Sequence, residues 1–564
     1  MMFEKKISNL LNPFIQEGLK ASNETLSGNG SLKYSTSGND FVDDFASIAT
    51  YKKPRSYAEI AKTMQLLWSQ NAVKAVKMIL YIRLITRKTK VLVEDTYETL
   101  DTQKGQGLRH ESIMRMIWLA INHSNTFKRN LHLFIAAGSW KDIITMLNID
   151  LQYNGWNDRQ LDWDFMKNVL YAGLTNPNTT HLVRKYLPTI RTNSKCNTLE
   201  AQADTLIGRW FARGLHPKLD KFTAYKYYRK FKSNGIAHEW QQLISKQLFK
   251  EIKFDKIAGR ALQLLVNSKF LENQGLREDY TKWIQSKGTA KYTGFVFELF
   301  KPLEVINASW KDYSYPEIDE ATKATINAQF NGLVQTGKTG ENQSRFIVAR
   351  DISGSMTSLA KGCGMSAYSV AKAMALYFSE FLTGPFANHY IEFATDCRMV
   401  EWKGNTPVDK WINDDNGNFG GTNFISVAKL FVELKQKGVP ESDFPEGVLC
   451  VSDGDFNPAY SRRNSVTNFQ KFREMLTDAG FSKEYVENFK LILWDIPNNF
   501  YGDDRSVKFE DFADYPNNFY ISGYDPSVVS FIFGNSDFKA SPRNASELME
   551  VALNQELLNK VTII

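Results

Sequence analysis

The chain has 564 residues, 43% apolar and 23% charged, a globular composition of roughly three or four domains and not that of a disordered polymer. Its net charge of +7 is unevenly spread: residues 51–300 hold 40 Lys+Arg against 21 Asp+Glu, a balance of +19, and residues 341–564 hold 21 against 30, a balance of −9. The opening MMFEKKISNLLNPFIQ carries no apolar run before a cleavage site, no apolar stretch reaches the ~18 residues of a membrane span, and Cys196, Cys363, Cys397 and Cys450 form no CxxC pair. Secretion, membrane spans, a disulfide framework and structural zinc are therefore not expected, and a reducing, cytoplasmic setting is.

In chain order, residues 1–50 read as an N-terminal arm, its Ser/Gly/Asn-rich part at 21–45 a loop or mobile segment. From about residue 55 apolar groups recur three and four apart. Helices are predicted at 57–68, 72–84, 111–122, 128–137, 140–148, 161–173, 180–187, 199–213, 221–232, 237–250, 256–267 and 277–287. Residues 51–305 thus form an all-α stack of helical hairpins in the manner of an α-solenoid, without a strict sequence period. Residues 306–343 read as a linker. In 344–540, short apolar runs (RFIVARD at 345–351, HYIEFAT at 389–395, RMVEW at 398–402, GVLCVSD at 447–453, KLILW at 490–494, FYIS at 519–522) alternate with helices at 368–382, 422–437, 465–479 and 526–534. That alternation predicts a doubly wound, Rossmann-like α/β sheet. Residues 541–564 are expected to carry a final amphipathic helix over 545–560, capped by Asn544 or Ser546.

Three pieces of the α/β region are expected at one structural position, the carboxyl end of a strand: Asp351-Ile-Ser353-Gly-Ser355, Gly420-Gly421-Thr422, which opens the helix at 422–437, and Ser452-Asp453-Gly454. Groups at the carboxyl ends of strands in an open α/β sheet meet in one crevice. Two carboxylates and three hydroxyls there make a hard, all-oxygen set suited to Mg²⁺ or another divalent cation. An ion so lightly neutralised stays electrophilic and accepts a carboxylate or phosphate oxygen from a partner. Asp396 and Asp455 are candidates just beyond the ion, although Asp455 reads better as a turn residue before Asn457-Pro458. DxSxS alone is a weak signal, since Ser and Asp crowd turns and caps.

The three pieces together resemble the metal-ion-dependent adhesion site of von Willebrand factor A domains, DxSxS, then Thr, then Asp. The resemblance assigns metal-ligand roles to Asp351, Ser353, Ser355, Thr422 and Asp453. Upstream, YIRLITR (81–87), KGQGLRHES (104–112) and AAGSWKDII (136–144) resemble the arginine-bearing helix, glycine-rich turn and GxWxD-type helix start of the TROVE module of Ro-type RNA-binding proteins. The two-part layout is also similar to a family of bacterial, phage and plant proteins; YKYYRKFK (225–232) and KFDKIAGRA (253–261) look closer to that branch. The basic turn of the Ro pattern is missing at 104–107. What the resemblance implies is a multidomain protein: a HEAT-like helical-repeat ring or horseshoe and a von Willebrand A-like domain. Such a protein is expected to act as a monomeric ring holding structured or single-stranded RNA.

Independently, the +19 region suggests a polyanion surface. Its candidates are Lys52-Lys53-Pro-Arg55, Arg83, Arg87, Lys88, Lys90, Lys104, Arg109, His110, Lys128, Arg129, Arg184, Lys185 and Lys226-Tyr-Tyr-Arg229-Lys230-Phe-Lys232. The last interleaves cations with aromatics, as single-strand binders do. Each cluster alone also reads as ordinary helix surface, with Tyr227, Tyr228 and Phe231 as core. The histidines show no metal spacing, and Lys361-Gly-Cys-Gly-Met-Ser366 lacks the ending of a phosphate loop. No catalytic residue is assigned, so the expectation is a binding protein and not an enzyme: RNA on the helical region and an acidic residue of a protein partner at the metal site. The alternative is an interaction or assembly component, for instance of a phage particle, that uses the metal site without RNA. A metal-dependent nuclease or phosphatase is a third class.

Overall fold

The computed structural model describes residues 23–48, 55–93, 96–233, 239–304, 315–337, 345–360, 363–382, 384–414, 417, 419–459, 466–496, 498, 509–525, 529–532 and 542–564. It divides into two compact units. One comprises residues 55–257, 273–276 and 553–564; the other comprises the segments up to 54, 258–272 and 277–552. No described helix is long and apolar enough to cross a membrane.

The first unit is mainly helical. Its longer helices are α2 (Tyr57–Gln70), α3 (Ala72–Arg83), α4 (Arg109–Asn122), α5 (Ser124–Ala137), α6 (Trp140–Asn154), α7 (Trp163–Thr175), α8 (Thr180–Tyr186), α9 (Leu199–Leu215), α10 (Lys221–Ser233) and α11 (Glu239–Ser245), leaving α1 for the other unit. The periodicity works as read: in α2, Ser56 and Glu59 form a capping box, and Ile60, Met64 and Leu67 are buried on one face. Sequence periodicity missed one element. Strands β3 (Ile85–Val93) and β4 (Thr96–Gln106) form a long antiparallel hairpin between α3 and α4. The run that resembled an arginine-bearing helix therefore leaves the helix at Arg83 and continues as strand. Most side chains of β3 and β4 are at least partly exposed, so no clean apolar alternation marks them.

The second unit holds the sheet. Its strands run β10 (Asn518–Ser522), β9 (Lys490–Asp495), β8 (Gly447–Ser452), β5 (Phe346–Asp351), β6 (His389–Phe393) and β7 (Cys397–Glu401) across the sheet, all parallel except the edge pair β6–β7. Every residue of β5, β8 and β10 is buried, so both faces of these strands are covered, which is why they read as continuous apolar runs. The chain adds β6 on one side of β5 and β8 on the other. The strand order thus reverses between β5 and β8, where the carboxyl ends open a crevice.

Two segments depart from expectation. Within the arm, residues 23–48 are ordered: β1 (Glu24–Leu26) pairs with β2 (Leu32–Tyr34), and α1 (Asp40–Ser47), capped by the Asn39 side chain, packs on β10. Leu32, Tyr34, Phe41, Val42 and Phe45 are buried, so a few apolar anchors outweigh the loop-like composition around them. The linker contains α14 (Glu320–Gly337), which follows α12 (Gly259–Val266) and α13 (Arg277–Gln285). These helices belong to the α/β unit: Tyr280 and Thr325 hydroxyls meet at 2.7 Å, Gln329 donates to Gly259 O, and Phe330 lies 6.3 Å from Tyr377 of α15 (Ala367–Ser379). The unit boundary accordingly falls near 257, not 305. The C-terminal helical stretch is also interrupted: α18 (Ala545–Leu553), capped by the Asn544 side chain, ends before a short turn at Glu556–Asn559, with α16 (Ile425–Gln436) and α17 (Asn468–Asp478) completing the longer helices.

Candidate metal centre at the strand ends

Asp351 ends β5 and Asp453 follows β8, so the strand reversal sets them side by side. The chain between them is knitted by hydrogen bonds. Ser353 N donates to Asp351 Oδ1 at 2.7 Å, the Ser353 and Ser355 hydroxyls lie 3.2 Å apart, and Ser452 Oγ donates to Asp351 Oδ2. Gly454, at φ +72°, turns the chain directly after Asp453, so its N–H reaches back to Ser452 Oγ at 3.0 Å. Gly354 N donates to Gly420 O, and Asn457 N donates to Thr422 O at 2.7 Å, tying the second piece to the first and third. Asp351, Ser353, Ser355, Thr422 and Asp453 are all buried.

The electrostatics follow from burial and proximity. Asp351 lies fully inside, and burial, then the negative charge of Asp453, push its carboxyl up to about 7, against the hydrogen bonds from Ser452 and Ser353. Among the described residues neither aspartate is ion-paired. A divalent cation would relieve the repulsion between two such carboxylates, and the hydroxyls supply neutral oxygens of the hardness Mg²⁺ prefers. No described group of three or more His, Cys, Asp and Glu could hold a metal. The site has only two carboxylates, so the hydroxyls of Ser353, Ser355 and Thr422 must complete it, and on donor chemistry the five residues fit a hard cation.

A family model described as Domain of unknown function (DUF7788) matches residues 346–561. The α/β region is similar to that family; the match begins at the first residue of β5 and spans all five candidate ligands, but covers less than half of the chain. No curated protein matches the chain.

Two neighbours of the candidate ligands, Asn498 and Asn29, were not singled out from sequence. Asn498 donates to Asp453 Oδ2 at 2.7 Å and to Ser355 O at 3.1 Å. It follows β9, and the strand-end rule applied to that strand would have found it. Asn29, from the arm, donates to Thr422 Oγ1 at 3.3 Å and has no sequence signal. Asp455 is more than a turn residue: its carboxylate accepts Gly28 N at 2.9 Å, while its own N–H donates to Asp453 Oδ1. Asp396 is exposed, its carbonyl closing the turn between β6 and β7.

Next to Asp351, Arg350 is wholly buried and donates to Asp414 at 2.7 Å and Glu392 at 3.1 Å. Lys372 lies 3.0 Å from the same Asp414 and donates to Tyr315 at 2.6 Å. Burial pushes the Lys372 ammonium down to about 8, opposed by Asp414 and reinforced by Arg350. In the loop before α15, the described donors at the helix start are already used within the chain. Ser366 N and Oγ already donate to the Glu304 carboxylate at 2.8 and 3.0 Å, and burial pushes the Cys363 thiol up to about 12. Lys361 and Gly362 lie outside the described residues.

The cationic candidates of the helical unit do not form one set. Arg83 is buried, with Nε 2.8 Å and Nη2 3.2 Å from Asp142, and so is not offered to a ligand. Arg109 joins the same carboxylate at 2.9 Å. A Cβ at Gly138 would collide with Asp142 Oδ2, the packing reason for glycine in AAGSWKDII. Arg55 is buried against Glu111, while Lys52 and Lys53 lie outside the described residues. Arg87 donates to the carbonyls of Ala136, Ala137 and Gly138, capping the end of α5. Lys128 pairs with Asp162 at 2.6 Å, and Arg184 lies 4.1 Å over Phe231. The Lys104 backbone is held by the Gln555 side chain. Lys88, Lys90, His110, Arg129, Lys185, Lys226, Arg229 and Lys230 are exposed. In α10, Tyr228 is core, donating to Pro188 O at 2.7 Å, whereas Tyr227 is 53% and Phe222 72% exposed.

Proposed function

We propose that this protein is a binding protein whose α/β unit uses a divalent cation, Mg²⁺ in the first place, to grip an acidic oxygen of a protein partner. The observation that carries the reading is the convergence of Asp351 and Asp453, two carboxylates without an ion pair among the described residues, with the Ser353 and Ser355 hydroxyls at the strand reversal, Thr422 being tied to the same loops. In this reading the unit is von Willebrand A-like. Asp351, Ser353, Ser355, Thr422 and Asp453 hold the ion, which when bound supplies a Lewis-acidic position for a carboxylate. Asn498 orients Asp453, and Ser452 orients Asp351. No group is assigned a catalytic step.

The test is a Mn²⁺ titration of the full chain, following the spectroscopic signal of free Mn²⁺. One equivalent is expected to bind, and Asp351→Asn and Thr422→Ala are expected to weaken binding at least about tenfold while the melting curve keeps its cooperativity. A glutamate-bearing peptide is expected to bind only with the ion present. Absence of Mn²⁺ binding at millimolar concentration would sink the reading.

A second reading, RNA binding by a Ro-like, HEAT-like helical region, is favoured by the exposed face of α10. There Lys226, Tyr227, Arg229 and Lys230 stand in the open beside Phe222, with the Lys221 ammonium 5.0 Å over that ring. Tyr153 is 74% exposed, and Arg159 lies 4.3 Å from the Trp156 ring and 4.7 Å from that of Trp163. Bases stack on such rings while phosphates pair with the cations.

A further inference from the structure

The candidate metal centre has a neighbour that the sequence places more than 300 residues away. The turn between β1 and β2, residues 27–30, rests on the loop that follows Asp453. Ser27 Oγ donates to Phe456 O at 2.9 Å, and Gly28 N donates to Asp455 Oδ1 at 2.9 Å. Asn29 Nδ2 donates to Asp455 O at 2.5 Å and to Thr422 Oγ1 at 3.3 Å. A carbonyl oxygen accepts and never donates, so the bond to Asp455 O sets which end of the Asn29 carboxamide is the NH₂. The same NH₂ therefore points its second donor at Thr422, using a lone pair of the hydroxyl oxygen.

Thr422 Oγ1 keeps a second lone pair for a cation, but the partial positive charge of the amide NH₂ directed at the same oxygen opposes a cation held there. The turn also packs against the loop that carries Asp455, on the Thr422 side of the site. We propose that the hairpin tip, through Asn29, is an in-chain competitor for the Thr422 side of the cation site, displaced when the ion and an acidic ligand bind. This rests on the cation reading above. It makes Asn29 a positioning residue that sets the affinity of the site, while Ser27 and Gly28 hold the tip in register. The tip is suited to release: hydrogen bonds of Ser27, Gly28 and Asn29 fasten it to the loop and to Thr422, whereas β2 and α1 behind it are anchored by buried Leu32, Tyr34, Phe41 and Phe45.

The experiment uses the full chain in two arms. In the first, Mn²⁺ binding is measured for the natural chain and Asn29→Ala; removing the two Asn29 hydrogen bonds, to Asp455 O and Thr422 Oγ1, from the competing state is expected to tighten binding at least about fivefold. Equal or weaker binding by Asn29→Ala overturns the proposal, weaker binding making Asn29 a ligand. In the second, amide exchange of residues 27–30 in the natural chain is followed with and without saturating Mg²⁺ and a glutamate-bearing peptide. Faster exchange at Gly28 is expected, and unchanged protection overturns displacement. If the cation reading itself fails, neither chain binds Mn²⁺; if only the competition fails, both bind it equally.

Discussion

Asp142 of the helical unit and Asp351 of the α/β unit are both buried, but their surroundings differ. Asp142 accepts from the Arg83 and Arg109 guanidiniums and from Ser139 N at 3.0 Å. Asp351 accepts from a hydroxyl and a backbone amide and faces the charge of Asp453. The first carboxylate is fully compensated inside the fold and has nothing to offer a ligand. The second sits in a local deficit of positive charge that an ion from solution can meet. Buried charge balanced in place marks structure; left unbalanced, as at Asp351, it makes the strand ends the candidate for the cation proposed above.

The comparison breaks most visibly at Asp142. Asp142→Ala strands a buried Arg83 and removes a partner of Arg109, an expected loss of ~3–5 kcal/mol in urea unfolding of the helical unit. A loss under about 1 kcal/mol would return Arg83 to the cations available for a ligand.

A smaller effect separates balanced from strained charge within the α/β unit. The Lys372 ammonium titrates near 8 when folded, below its ordinary value of 10.5. Between those values the unfolded chain binds a proton that the folded chain does not, so stability rises with pH across this window; below about pH 8 both forms are protonated and the penalty is constant. Measured as the difference from Lys372→Met, the natural chain should gain on the order of 2 kcal/mol between pH 8 and 10.5 in chemical denaturation. A flat difference would mean that Asp414 and Tyr315 fully compensate the burial.

The smallest effect sharpens the contrast on the helical side. Replacing Lys226, Arg229 and Lys230 together by alanine should leave stability within about 0.5 kcal/mol, because all three are exposed. The same change should lower affinity for single-stranded RNA about tenfold. It should also flatten the salt dependence by ~0.7 for each phosphate that is no longer neutralised, read by filter binding across a salt series. Salt-independent binding, or none at low salt, removes the RNA reading.

Much of this was legible from local pattern. The helices from α2 to α10 follow the three-and-four spacing, since burying one face of a helix demands it. The runs RFIVARD and GVLCVSD are strands for the corresponding reason: a parallel sheet covered on both faces has no polar side to alternate with. Asp351 and Asp453 could be grouped because topology, and not contact, sends strand ends to one crevice, whereas Thr422 directly follows no described strand and is brought in by the backbone bonds from Gly354 N to Gly420 O and from Asn457 N to Thr422 O. By itself, then, the sequence determined the two classes of secondary structure and which polar residues follow the ends of β5 and β8.

What tertiary structure decided was which polar groups are already taken. Arg83 and Lys226 look alike in a sequence, yet one is closed against Asp142, 59 residues away, and the other stands on an exposed helix face. The β3–β4 hairpin, the helix inside 306–343 and the ordered arm likewise depend on what packs against them. Asn29 reaches Thr422 across 393 positions. Hydrogen bonds and ion pairs act over a few ångströms in space, whereas spacing along the chain constrains only neighbours within a turn or a strand, so satisfaction of charge is settled only when distant segments meet.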